Sequence, residues 1–305
     1  MDDPLIVAVR LGLYVTIGAV FGISLFALYG LPAADLRALP LRAIVGVGAG
    51  GGLVLSSLGI CALAAGMAAT PLAALKADDL RAMIGMAGGI GQAWEARALA
   101  LAALIALAAL VRSRRANAWA GTLLGAVALG SLAWNGHGAA TEGLVGNVHL
   151  IADVAHLLAA GAWLGALGAL AIVLGRTREA ATHKDLRDAH RAFSGFSVAG
   201  TAIVAMIVVT GLINSWALVG PDHVLGLTDT LYGRLLLAKL ALFVAMLGLA
   251  ALNRFRLTPA LEGTAHDPRA AIGALRRSLA FETAAALTIL ALVAWLGTLM
   301  PPTEM

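Results

Sequence analysis

The sequence predicts an all-α membrane protein that crosses the bilayer eight times. Three observations predict it. Hydrophobic residues make up 60% of the 305 residues and charged residues 12%, about half the charged share of an ordinary soluble domain. The apolar residues gather in runs of about 18 or more, long enough to cross a hydrocarbon core. The basic residues fall mainly in every second gap between those runs, as expected when those loops stay on the cytoplasmic side.

The first span is expected over about 4–30, opening at Pro4, a residue suited to a helix's first turn. The second, about 42–68, opens on VGVGAGGG, where small residues let helices approach closely in lipid. The third, about 82–111, carries Gln92, Trp94, Glu95 and Arg97. The fourth covers about 116–135 and the fifth about 148–175. The sixth, seventh and eighth follow over about 192–219, 231–253 and 273–299, the last stopping before Pro301 and Pro302. No gap is long enough for a soluble domain, so residues 1–305 read as one eight-helix unit. The opening MDDPLIVAVR lacks a basic stretch ahead of its apolar run, which argues against a removable signal peptide. Cys61 is the single cysteine and cannot form an internal disulfide. The net charge of +4 comes from short loops and implies no nucleic-acid partner.

Four alternate loops carry 15 of the 21 Lys and Arg residues, for example Arg112, Arg114 and Arg115 after the third span. The loop between spans four and five has none. Both termini are therefore expected outside the cytoplasm. That orientation puts His137 and the start of the fifth span on the outer face.

The stretch from Trp134 to Gly165 carries the chemistry. His149, Asp153 and His156 recur at i, i+4, i+7 and share one helix face. His149 and His156 lie about 10 Å apart along the axis, too far to chelate one ion alone. His137, in a Gly-His-Gly loop, is the natural third donor. Imidazole suits copper, zinc, iron and nickel, and Asp153 can ligate or fix a histidine tautomer. Met83 and Met86 offer soft thioethers at a possible metal entry, although methionine is also ordinary apolar filler. Arg10, Glu95, Arg97 and Lys239 bring further charge into the spans, where ion pairing between helices is the plain structural role. No nucleotide loop, paired nucleophile and base, or zinc-protease motif occurs, so no enzyme activity is expected.

Several of these stretches resemble the CopD/PcoD family of copper-resistance inner-membrane proteins. They are GHGAATEG with HLIADVAHLLAAGAWLG, then Phe193 to Trp216, then LYGRLLLAKLALFVAMLGLAALNRFRLTP, within the eight-span outline. The likeness covers most of residues 130–300; before that it extends only to hydropathy and placement. The resemblance implies copper handling at a bacterial inner membrane, with movement from periplasm towards cytoplasm. It also implies a periplasmic copper-binding partner of the CopC type. On matched positions, His137, His149, Asp153 and His156 would be copper-associated, with Tyr232, Arg234, Lys239 and Asn253 the polar set of the seventh span. Cu(I) at His and Met is favoured over Cu(II). A haem b or quinone-associated redox protein is the main alternative, although His149 and His156 on one helix cannot sandwich one haem. A metal-free scaffold that docks a periplasmic protein is the third reading.

Overall fold

The computed structural model describes residues 3–85, 89–136, 143–176, 183–258 and 268–304. Nine α-helices form among them: α1 (Pro4–Tyr29), α2 (Leu41–Met67), α3 (Ala77–Ile84), α4 (Ile90–Leu110), α5 (Arg114–Gly130), α6 (Gly143–Gly175), α7 (His183–Val219), α8 (Leu231–Leu252) and α9 (Pro268–Leu296). All except α3 contribute a span long and apolar enough to cross a membrane, α5 together with the 3₁₀ turn Ser131–Asn135 that continues it, giving the expected eight. The chain is an all-α, polytopic membrane protein.

Local chemistry explains most helix ends. Asp3 caps α1 by accepting the Leu5 N–H, with Pro4 in the first turn. Ser113 caps α5 in the same way through the Ala116 N–H. The third span needs a correction. It begins at Ile90, and the residues expected to open it belong to the short helix α3. Gly89 takes φ +85°, a left-handed turn that ends any continuous helix there. Gly91 then approaches the Ile84 carbonyl so closely that an added Cβ would lie 1.8 Å from it. Asp78 and Asp79 sit in the first turn of α3, and Met83 is buried beside Ile60 and Ala64.

Helix α1 stands at the centre and packs on α2, α5, α6 and α9. It is apolar all round, which suits a helix with neighbours on every side. Its tightest crossing is with α6. A Cβ on Gly22 would lie 2.0 Å from the Gly161 carbonyl oxygen, and one on Gly165 2.0 Å from the Gly22 carbonyl carbon. Here the backbones touch, as small residues permit in lipid.

The basic loops meet at one end of the bundle. Arg42 donates to the Ala108 and Ala109 carbonyls at the end of α4. Arg176 donates to the Arg37 carbonyl, and Arg276 to that of Leu174. Each arginine thus satisfies backbone carbonyls in a loop or a last helical turn that have no helical partner.

Candidate functional site

At the opposite end, α6 carries the predicted stripe inward. His149 is 2% exposed. Asp153 and His156 are partly buried and face different neighbours. The side-chain amide of Asn214, on α7, approaches an Asp153 carboxylate oxygen at 3.4 Å. Lys239 of α8 and Arg10 of α1 both bring positive charge to that carboxylate. Asp153 therefore sits where polar or charged groups of α1, α7 and α8 come near one face of α6.

His156 has the most informative geometry. Its Nδ1 lies 2.9 Å from Thr210 Oγ1. That hydroxyl has one proton, directed at the Met206 carbonyl 2.6 Å away. Thr210 must then accept from the imidazole, so Nδ1 carries the proton and Nε2 keeps its lone pair. His156 also lines a cavity of about 380 Å³ between α6, α7, α8 and α9, together with Lys239, Ser215 and Trp163. A histidine with one nitrogen held by a protein acceptor and the other available is oriented as metal-binding histidines usually are.

Arg10 closes this end of the bundle. Its guanidinium donates to the Gly297 carbonyl at 2.5 Å and to the Asn135 carbonyl at 2.8 Å. It thereby ties α1 to the end of α9 and to the 3₁₀ turn Ser131–Asn135. The side-chain carbonyl oxygens of Asn135 and Asn214 are buried without a hydrogen-bond partner.

The other predicted residues separate. Arg97 is 2% exposed and donates to Ser56 Oγ at 2.7 Å and Ser131 Oγ at 3.1 Å. Glu95, two positions earlier, faces outward, because residues i and i+2 lie on different helix faces. Among the described residues, Arg10, Glu95, Arg97, Asp153 and Lys239 form no direct ion pair with one another. Neutral serines and backbone carbonyls take the place of the ion pairs considered from the sequence. Tyr232 packs in a small apolar cluster with Val219 and Leu296, while Arg234 is exposed. The burial of Met83 fits packing. Met86 and His137 lie outside the described residues. Among the described residues, no three His, Cys, Asp or Glu side chains converge to hold a metal.

Sequence reasoning missed Thr210 and the carbonyls held by Arg10. A signal for Thr210 existed: Met206, Thr210 and Asn214 recur at four-residue spacing, placing two polar groups on one face of an apolar helix. Nothing comparable marks Gly297 or Asn135, whose backbone does the work.

The chain is 42% identical over 310 residues to copper resistance protein D of Pseudomonas syringae pv. tomato, covering 100% of this chain and 99% of that protein. The family model for copper resistance protein D matches residues 190–296, and that for the copper resistance protein D-like N-terminal domain matches residues 1–147. The chain belongs to the copper resistance protein D family. It is also 30% identical over 132 residues to inner membrane protein YebZ of Escherichia coli K12, covering 42% of each chain. No solved structure matches. Family likeness thus reaches well into the first half, where the sequence reading found only hydropathy and placement.

Proposed function

We propose that this protein binds copper at the α6 end of the bundle and moves it across the membrane towards the cytoplasm. The tautomer of His156 carries the reading: Thr210 holds Nδ1–H and leaves the Nε2 lone pair to a ligand, on a histidine that lines a cavity. Family membership supplies the choice of metal. His149 and Asp153 complete the donor stripe on α6, and His137, twelve positions before His149 in the sequence, is the further candidate donor. The carboxylate of Asp153 offsets the cation's charge, with the positive charges of Lys239 and Arg10 near it when no ion is bound. Cu(I) is the favoured cargo, since soft ions suit imidazole and thioether donors.

Orientation follows from the gathered arginines, which belong on the cytoplasmic side. Both termini and the α6 stripe then face the periplasm of a bacterial inner membrane, where a copper-binding protein of the CopC type would deliver the ion. The chain has no nucleotide-binding loop, so movement would follow the copper gradient, the partner or another ion. No chemical transformation is required of it.

The direct test is copper content and visible absorption of detergent-purified protein, wild type beside His149→Ala/His156→Ala. Near-stoichiometric copper in wild type, lost in the double variant, is the expected result. A colourless, copper-free wild type after copper loading would defeat the proposal, and a haem spectrum would move the protein to the redox class. Thr210→Val should retain the fold and weaken copper binding by about 10–100-fold, the usual cost of removing a partner that orients a ligand. Competition with a copper chelator of known affinity measures it, and unchanged affinity would remove Thr210 from the site.

A further inference from the structure

At the end of the bundle where the basic loops gather, a cleft of about 760 Å³ opens between the start of α2 and the end of α4. Arg42, Arg112 and Arg114 line it, and no carboxylate does. The rest of the wall is apolar and mostly small, with Ala43, Gly46, Val47, Ile105 and Ala109. Missing side chains keep it open. A Cβ on Gly46 would only reach the Ala108 Cβ, at 3.4 Å, and one on Gly50, a turn further along α2, would meet nothing within 4 Å. Val47 is 76% exposed on this wall, and on a membrane-spanning helix such a face meets lipid tails.

The three arginines differ in what they already hold. Arg42 spends Nε and Nη2 on the Ala108 and Ala109 carbonyls, which leaves Nη1 for a ligand. Arg112 and Arg114 are exposed and, among the described residues, form no side-chain hydrogen bond or ion pair. Three cations lining one cleft with no acid among them repel one another. Arg114 also opens α5, and the helix dipole disfavours a cation in a first turn and favours an anion there. Trp119, five residues further along α5, is half exposed, as aromatic rings at headgroup level are. The cleft is therefore basic at the membrane interface and apolar along the wall that runs into the bilayer. That combination fits an anionic amphiphile.

We propose that this cleft binds a phospholipid of net negative charge, phosphatidylglycerol or its diphosphatidyl form. Arg42, Arg112 and Arg114 hold the phosphate, and an acyl chain lies along Gly46 and Val47. Guanidinium groups match phosphate oxygens in charge and in fork geometry. Basic pockets between membrane helices take anionic headgroups in this way. A zwitterionic phospholipid brings an ammonium group that the arginines repel, so charge selects against it. A free phosphate would meet the arginines and leave the apolar wall unused. The bound lipid fastens the ends of α2, α4 and α5 and stabilises the folded protein by mass action. The proposal is independent of the copper reading.

Two measurements on the purified full chain in detergent test the cleft. Native mass spectrometry counts retained phospholipid, and thermal melting is followed with phosphatidylglycerol, phosphatidylcholine or inorganic phosphate added. Wild type should retain phosphatidylglycerol in preference to phosphatidylcholine and melt at a higher temperature with it. Arg112→Gln/Arg114→Gln should weaken phosphatidylglycerol binding by about tenfold or more, since each cation near an anionic headgroup contributes about fivefold. Arg256→Gln/Arg277→Gln removes the same charge from exposed positions in another basic stretch and should leave binding unchanged. Ala43→Phe keeps every charge, fills the apolar wall and should also weaken binding. Equal losses in the two arginine pairs would reduce the effect to diffuse surface attraction and overturn the site. Equal retention of phosphatidylcholine would overturn it too. Inorganic phosphate that displaces the lipid at millimolar concentration, or stabilises the protein as well as the lipid does, would replace it with a free-anion site. Should the Arg112→Gln/Arg114→Gln protein fail to fold, Ala43→Phe decides, with unaltered phosphatidylglycerol binding overturning the cleft.

Discussion

Gly165→Val is expected to be the most damaging single substitution in the chain. The crossing of α1 and α6 brings backbone against backbone, with the Gly165 Cα position 2.8 Å from where a Cβ on Gly22 would lie. A side chain cannot rotate away from that contact, because the obstacle is main chain. The helices must separate, and with them the packing of α1 on the residues around Phe21 and Phe26. Ordinary overpacking costs about 1–3 kcal/mol. With no flexible neighbour to yield, we expect at least the upper end, about 3 kcal/mol, seen as little monodisperse protein and a sharply lowered melting temperature in detergent. Gly168→Ala is the control. Its Cβ would meet only the end of the Ile23 side chain, at 3.3 Å, and should cost little. Equal melting of Gly165→Val and wild type would show that the crossing is looser than described.

The second large effect is expected at Arg10. Its guanidinium holds two backbone carbonyls from parts of the chain far apart in sequence, at Gly297 and Asn135. Hydrogen bonds from a charged donor contribute about 1.5–3 kcal/mol each, so Arg10→Leu should cost about 2–4 kcal/mol after losses in side-chain ordering are recovered. Arg10→Lys keeps the charge but not the planar fork and should fall between. The substitution should also reach copper binding. Gly136 adjoins the turn that Arg10 holds, and a Cβ there would lie 3.9 Å from an Asp153 carboxylate oxygen. Thermal melting and copper affinity of Arg10→Leu should fall together. A stable protein with lower affinity would instead assign Arg10 to electrostatics at Asp153 alone.

Much of this architecture is legible in the chain. Apolar runs separated by alternating basic loops give eight spans in the right order, because a span must satisfy its backbone internally and basic loops stay on one side. The boundary that failed was the start of the third span. Ala82 to Ile84 are apolar enough to join it, but Gly89 and Gly91 turn the corner, and the corner depends on backbone angles that hydropathy does not register. Within the site, the spacing of His149, Asp153 and His156 placed them on one face of α6. It could not say that His156 faces Thr210, that Asp153 faces Asn214, or that Arg97 reaches two serines while Glu95 points away.

The sequence by itself determined the class, the eight spans, the gathering of basic loops and the histidine stripe, since these follow from local composition and helical period. Only the tertiary structure decided what each polar side chain meets: the Thr210 hydroxyl for His156, backbone carbonyls for Arg10, and Asn253 for Glu282. The physical reason is the solvent. Lipid tails are as apolar as a bundle interior, so an apolar residue does not reveal whether it faces inward or outward. The rotation of each helix is then set by close packing, as at Gly22 and Gly165, and by the few polar groups that must find one another.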